Sequence, residues 1–345
     1  MRTETRELFN AYLDHQAELN GADADTVRRE KAFSIEPSVQ QKIADKQQES
    51  SAFLAQTNVV LVPEMKGQKL GLGDQGPIAS RTNTKTTDRS ARETHDVEDL
   101  NGYECRKTDS DTAISYAILD TWAKFPDFEA RITAQRLRRQ ALDRLMIGFN
   151  GTSAAANTDR QANPLLQDVN IGWLEKYRQY RGGLYVMGSG RYGNTIRIGK
   201  GADCDYKNVH ALIVDATNQL LPSWTRREPG SLAILGSDIE HEIFFPLINN
   251  DLPPSETNAA DLILSARRVG GKQAAQVPYF PENAIFVNVP NNLSIYEQEG
   301  SRRRTVVDNA KRDRVETYES SNDDFVVEDY ERGFLIENIE FVDDE

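Results

Sequence analysis

The sequence predicts a mixed α+β chain: a β-rich layer, one long helix, an inserted α/β region, then strands again. Three observations carry that prediction. A clear apolar stripe runs between Asp127 and Phe149, β-prone runs lie on both sides of it, and helix and strand patterns alternate from about 165 to 290. At 345 residues the chain exceeds the roughly 50 to 250 that one core usually organises, so two domains or one with large excursions are expected.

Leu8, Phe9, Tyr12, Leu13, Ala17 and Leu19 recur at helical spacing and Asn20-Gly21 is a stop signal. Arg28-Arg29-Glu30-Lys31 then reads as a solvated charge cluster, so residues 1–33 form a short amphipathic helix on a charged leash, too small to fold alone. Helical spacing returns from Ser38 to Leu54, and Asn58 to Leu72 reads as strand. The run from Ser80 to Arg92 is almost free of apolar residues and cannot bury a core. A second strand-like run from Tyr103 to Tyr116 places that polar stretch at the tip of a long hairpin-like excursion. Loops beyond about 12–15 residues usually have a function in compact domains, so something outside the subunit is expected to receive it.

Asp127–Phe149 is the clearest helix. Ala130, Ala134, Leu137, Ala141 and Leu145 share one stripe, with Glu129, Arg136, Arg139 and Asp143 pointing away, the pattern of a helix resting on a sheet. A polar linker at 152–164 leads to a helix around Gln167–Tyr180, a glycine-rich loop from Gly182 to Gly193, and a helix with Val209, Leu212, Ile213, Ala216 and Leu220 on one side. The buried strand Leu232–Leu235 meets Ser237-Asp238-Ile239-Glu240, a capping box. Ala284–Val289, Leu293–Tyr296, Arg314–Tyr318, Phe325–Val327 and Phe334–Phe341 read as short strands.

Composition narrows the function classes. With 54 acidic and 41 basic residues the formal charge is −13, the wrong sign for a protein that grips nucleic acid. No run approaches the roughly 18 apolar residues of a bilayer helix, and no apolar secretory segment follows the charged N-terminus, so the chain is expected to remain in the cytosol. Two cysteines, Cys105 and Cys204, far apart in sequence, argue against a disulfide framework or a Cys-based metal site.

No motif carries catalysis. Gly71-Leu72-Gly73-Asp74-Gln75-Gly76 fits a dinucleotide fingerprint, but Pro77 and a Thr-rich run follow where the phosphate-binding helix would have to begin. His15, His95, His210 and His241 lack metal-ligand spacing. Paired carboxylates such as Asp109/Asp111, Asp203/Asp205 and Asp323/Asp324 are expected by chance among so many acids, and solvated turns account for them. Basic clusters at Arg136/Arg138/Arg139, Arg302-Arg303-Arg304 and Lys311–Arg314 have few aromatic neighbours, so ion pairs within or between subunits account for them better than nucleic acid. The reading from a different class is a cytosolic oligomeric enzyme with a site around Asp203, Asp205 and His210 in the 165–290 region. No cofactor or metal is expected.

Blocks of sequence along almost the whole chain resemble the major capsid proteins of P2-like tailed bacteriophages. They include Leu8-Phe9-Asn10-Ala11-Tyr12-Leu13, Glu36-Pro37-Ser38-Val39, Glu64-Met65-Lys66-Gly67, Tyr103-Glu104-Cys105, Met146-Ile147-Gly148-Phe149-Asn150-Gly151, Asn163-Pro164-Leu165-Leu166-Gln167-Asp168-Val169, Val277-Pro278-Tyr279-Phe280-Pro281 and Val326-Val327-Glu328-Asp329-Tyr330. The resemblance implies the HK-97-type capsid fold, with an N-terminal arm, an extended loop, a peripheral domain with a long spine helix, and an axial domain. Mapped onto this chain, it implies an N-terminal segment at 1–33 that is removed or contacts scaffold, an arm at 34–56 and an extended loop at 57–118. The peripheral domain follows at 119–164 with its spine helix at 127–149, then the axial domain at 165–290 and return strands at 291–345.

The implied function is assembly into pentamers and hexamers of an icosahedral procapsid. The implied partners are further copies of the chain, an internal scaffolding protein, a maturation protease, a portal protein and packaged double-stranded DNA held by weak contacts, with no membrane. The chain would be assembled in the bacterial cytoplasm and end in the virion capsid. The candidate cleavage region is Lys31, Ala32, Phe33 and Ser34. Candidate inter-subunit contacts are Arg81, Lys85, Arg89 and Arg92 in the extended loop, Arg302, Arg303 and Arg304, and Asp323 and Asp324. From Glu297 to the end, 16 acidic and 7 basic residues concentrate the negative charge in strands expected either to line the interior or to meet a neighbour's basic loop.

Overall fold

The computed structural model describes residues 1–69, 79–91, 102–122, 125, 128–249 and 267–342. The helices among them are α1 Thr3–Leu19, α2 Ala24–Arg28, α3 Pro37–Glu49, α4 Tyr116–Trp122, α5 Phe128–Asn150, α6 Trp173–Gln179, α7 Val209–Leu220 and α8 Ser237–Asn249. They pack around two main sheets of seven and six strands.

The axis of the larger sheet is a single strand of 14 residues, Arg314–Val327. Two short strands were expected there, because Glu319–Asp324 is polar enough to read as a break. The segment stays extended because both its edges are paired. On one flank Leu293–Gln298 and Arg303–Asn309 lie end to end against it, and on the other Arg106–Asp109 and Thr112–Ser115 do the same, all antiparallel. Outside these, Phe33–Ser34 pairs with Arg303–Arg304 and Asn58–Val62 runs parallel to Ser294–Gln298. The strand Arg303–Asn309 was not anticipated, its arginines having the look of a basic cluster held in ion pairs.

The smaller sheet has the order Arg268–Val269, Lys272–Ala275, Leu232–Leu235, Ile285–Asn288, Phe334–Ile336, Val186–Met187. Its central strands are apolar without alternation because they are covered on both faces. α8 leaves this sheet one residue before the expected cap: Glu240 N–H donates to the Gly236 carbonyl and the Glu240 carboxylate accepts from Gln276, so no reciprocal capping box forms. The helix expected around Gln167–Tyr180 begins only at Trp173. Before it, Leu166 has a φ of 57°, the left-handed region that breaks a helix.

A shared aromatic core ties the sheets together. Trp173 is fully buried, meets Phe149 and Phe325 edge-on at centroid distances of 5.4 and 5.3 Å, and donates its indole N–H to the Ser294 carbonyl at 3.1 Å. Close approach of α5 to α6 requires Gly148, because a Cβ there would run into the Trp173 ring. Two smaller apolar clusters lie beyond it. One gathers α1, α2, Phe33, Ile35, Leu119, Val306 and Val315. The other, Val62, Tyr103, Cys105, Tyr296 and Val326, lies where Lys66–Gly67 pairs with Tyr103–Glu104. Cys105 is fully buried there, and burial, aided by the Asp324 and Asp323 charges, pushes its thiol up to about 12.

α5 differs from its expected helical wheel. Ala130 and Ala134 are exposed, and the buried apolar face is Leu137, Ala141 and Leu145. Arg136, expected to point away, is buried.

Candidate assembly elements and a buried charge network

Beside its apolar face α5 carries a polar stripe of Arg136, Gln140 and Arg144, four residues apart and all buried. It faces charges on the larger sheet. Arg144 Nη2 lies 2.7 Å from Glu297 Oε2 and 3.6 Å from Asp323 Oδ1. Arg302 joins Glu297 at 3.2 Å and Glu319 at 2.7 Å. Arg304 Nε donates to Glu319 Oε2 at 3.0 Å, and Arg136 Nε stands 4.0 Å from the same oxygen. From α3, Gln40 donates to Glu297 at 2.8 Å and Gln47 to the Gln140 side-chain Oε1 at 2.7 Å. From α1, Gln16 Oε1 accepts from Arg304 Nη1 at 2.9 Å. Four stretches of chain thus meet in one water-poor lattice, where an unpaired charge is far more costly than on a surface.

The carboxylates respond unequally. Burial alone would raise Glu297, but Arg144 and Arg302 hold it below the ordinary carboxylate range. Glu319 is held well below that range by Arg304, Arg302 and Arg136 against the same burial. Asp323 goes the other way: burial, together with the Glu297 charge, pushes it up to about 6 despite Arg144 and Arg302, and its Oδ1 accepts no hydrogen bond.

The signs give a pH profile. Folded Asp323 takes up a proton that the unfolded chain releases near its ordinary value of 3.8, so its stabilising protonation is lost as pH rises from about 4 to about 6. Glu297 and Glu319 contribute stability above about 4.5 that disappears as pH falls below it. Asp323→Asn is therefore expected to remove the fall in stability between pH 4 and 6, roughly 2–3 kcal/mol, and to be no less stable than the parent at pH 7. Urea midpoints across that range decide it; an unchanged slope in the variant would show that Asp323 is not the group responsible.

This geometry corrects the placement of several candidate contact residues. Arg302 and Arg304 are buried and held by Glu297 and Glu319 of the same chain, and of that triplet Arg303 alone faces solvent. Asp323 and Asp324 are also buried; Asp324 accepts from Lys176 Nζ at 2.7 Å and from Glu104 N–H at 3.0 Å. Glu297, Glu319, Asp323 and Asp324 thus direct their charge inward, towards Arg302 and Arg304 nearby in sequence and towards Arg144 and Lys176 far from them. Arg81, Lys85 and Arg89 are exposed on a turn organised by Asn83, whose carbonyl accepts from Thr86 and Thr87 N–H; Arg92 lies outside the described residues. In the candidate cleavage region Lys31, Ala32 and Ser34 are exposed and Phe33 is buried in the sheet. Sequence reasoning missed Gln140, Arg144, Glu297 and Glu319. The available signal was the four-residue spacing of Arg136, Gln140 and Arg144 alongside the apolar face.

The model of the phage major capsid protein P2 family matches residues 8–339. The chain belongs to that family. The capsid protein of Escherichia phage P2 is 45% identical over 351 aligned residues, covering 99% of this chain and 96% of its own. The major capsid protein of Serratia phage KSP20 is 41% identical, covering 100% and 99%. A chain from a satellite phage P4 procapsid that includes the size determination (Sid) protein superposes with a TM-score of 0.81 at 41% identity, covering 99% of both chains. The two sheets and the long helix are those of the HK-97-type capsid fold, and this P2-family chain is a shell component of the virion that forms the procapsid of a tailed phage.

Family membership also answers the enzyme alternative: this is a structural shell protein. Asp203 is exposed, and Asp205 and His210 have local structural partners. Asp205 accepts from the Arg191 and Arg197 N–H groups at 2.5 and 2.9 Å, bracing the glycine-rich loop, and His210 Nδ1 accepts from Gly270 N–H at 3.1 Å.

Proposed function

We propose that this chain builds an icosahedral procapsid as pentamers and hexamers. In this reading residues 1–33 contact an internal scaffolding protein and a maturation protease cuts within them. Residues 34–56 are the arm, 57–118 the extended loop, 119–164 the peripheral domain with its spine helix, 165–290 the axial domain and 291–345 the return strands. A portal protein occupies one vertex, and double-stranded DNA enters against weak, salt-screened contacts. One observation carries the assembly reading: the polar turn at 79–91 is exposed in the subunit and hydrogen-bonded within itself around Asn83. A segment built this way adds interface only when a neighbour receives it.

For processing, Arg29–Ala32 is an exposed connection, whereas Phe33 is already paired with Arg304 in the sheet. Exposed connections are where proteases cut, so the cut falls before Phe33. Electron microscopy of the chain co-expressed with its scaffolding partner is expected to show closed shells, and mass spectrometry of mature particles a new N-terminus at Ala32 or Phe33. Irregular aggregates would defeat the assembly reading, and an intact Met1 in mature particles the processing reading.

A further inference from the structure

The N-terminal segment sits on the rest of the chain as a helix sits in a groove. α1 buries Thr5, Phe9, Leu13, Gln16 and Ala17, one stripe of the helix, while Leu8 is 48% exposed outside that stripe. The receiving surface is apolar, formed by Phe33, Ile35, Leu119, Val306 and Val315. Polar anchors surround it. Gln16 accepts from Arg304, Arg6 pairs with Asp308 at 3.2 Å, Arg2 N–H donates to Asp120 at 3.0 Å, and Glu30 accepts from Asp308 N–H at 2.9 Å. Under the helix a cavity of about 240 Å³ remains, lined by Phe9 and Tyr12 on one side and Ile114, Ile132 and Val306 on the other. Sheet pairing with Arg303–Asn309 begins only at Phe33. What joins segment to body covalently is the exposed stretch Arg29–Ala32.

We infer that this face is a binding site for an amphipathic helix and that its occupant after processing is the chain's own residues 1–31, retained without a covalent link. Cutting and release are then separate events. The inference rests on the reading that the segment is cut. A helix of 17 residues is marginal alone in water, so the freed segment keeps its structure by staying on the face that completes it. Staying also keeps the apolar groove covered and Arg304 supplied with the Gln16 acceptor.

The test uses the full chain with a site-specific protease sequence placed between Arg29 and Ala32. After cutting under native conditions, the fragment is expected to co-elute with the remainder from a sizing column at micromolar concentration. Phe9→Ala with Leu13→Ala is expected to weaken retention by about a hundredfold, and Leu8→Ala to leave it unchanged. Separate elution of the parent fragment from a remainder that keeps its circular dichroism would overturn the inference, as would equal retention of the Phe9/Leu13 variant. Should that variant fail to fold, labelled peptides of residues 1–31 exchanged into the cut parent give the same answer: the parent peptide enters, the Phe9→Ala peptide does not, and entry of both overturns the proposal. The introduced site makes this result independent of native processing, which mass spectrometry of particles reads separately.

Discussion

Glu319→Gln is expected to destabilise the subunit by about 3–5 kcal/mol, because it removes the shared anion of three guanidinium groups inside the protein. Arg302 and Arg304 both hydrogen-bond the Glu319 carboxylate and Arg136 lies 4.0 Å from it, all four side chains being buried. Gln keeps the shape and one acceptor oxygen but cancels no charge, so Arg304 is left with Gln16 as a neutral partner. Urea unfolding followed by tryptophan fluorescence measures the loss. Lys107→Ala serves as a comparison: it removes an exposed pair with Asp109 and should change stability by less than about 0.5 kcal/mol. A Glu319→Gln loss below about 1 kcal/mol would mean that the lattice is solvated or rearranges freely, contrary to its burial.

Deleting Thr82–Ala91 is expected to abolish closed shells while leaving the subunit folded. Among the described residues the segment's backbone bonds are local to the Asn83 turn and its side chains lie at or near the surface, so the subunit is expected to keep its packing. A shell repeats each contact many times, and avidity turns a modest loss per subunit into failure to close. Electron microscopy reads the particles and thermal denaturation of the soluble protein reads the fold. Normal particles from the deletion would remove 79–91 from the assembly interface; a large drop in melting temperature would show that it serves the subunit instead.

Elements with a strong local signal were legible without coordinates. The long helix is announced by Leu137, Ala141 and Leu145 and ended by Asn150-Gly151. Leu232–Leu235 is apolar throughout because a central strand is covered twice. Cys105 reads as a small buried residue and occupies such a place. The polar run beginning at Ser80 lacks the side chains to enter any core, and the described part of it stays exposed. The elements that eluded sequence reasoning share another property: their structure depends on distant partners. Arg303–Asn309 forms a hairpin with the long strand, and its other edge is closed at Arg303–Arg304 by Phe33–Ser34, far away in sequence. Glu319–Asp324 continues a strand because Arg106–Asp109 runs beside it.

By itself the sequence determined the alternation of β, long helix, α/β and β, the acidic balance, and a resemblance specific enough to place the family. Whether a charge is a surface feature or a structural one was decided by the tertiary structure. Arg144 and Glu297 are 153 residues apart in sequence and 2.7 Å apart in space, and no local pattern encodes that meeting. The physical reason is that a charged side chain is stable in water or beside an opposite charge in a dry interior, and the same residue type satisfies either condition. Periodicity reports which face of an element is apolar. Only the fold brings together the arginines of the helix and the carboxylates of the sheet, and with them carries Glu297, Glu319 and Asp323 of an acidic stretch into the interior of the subunit.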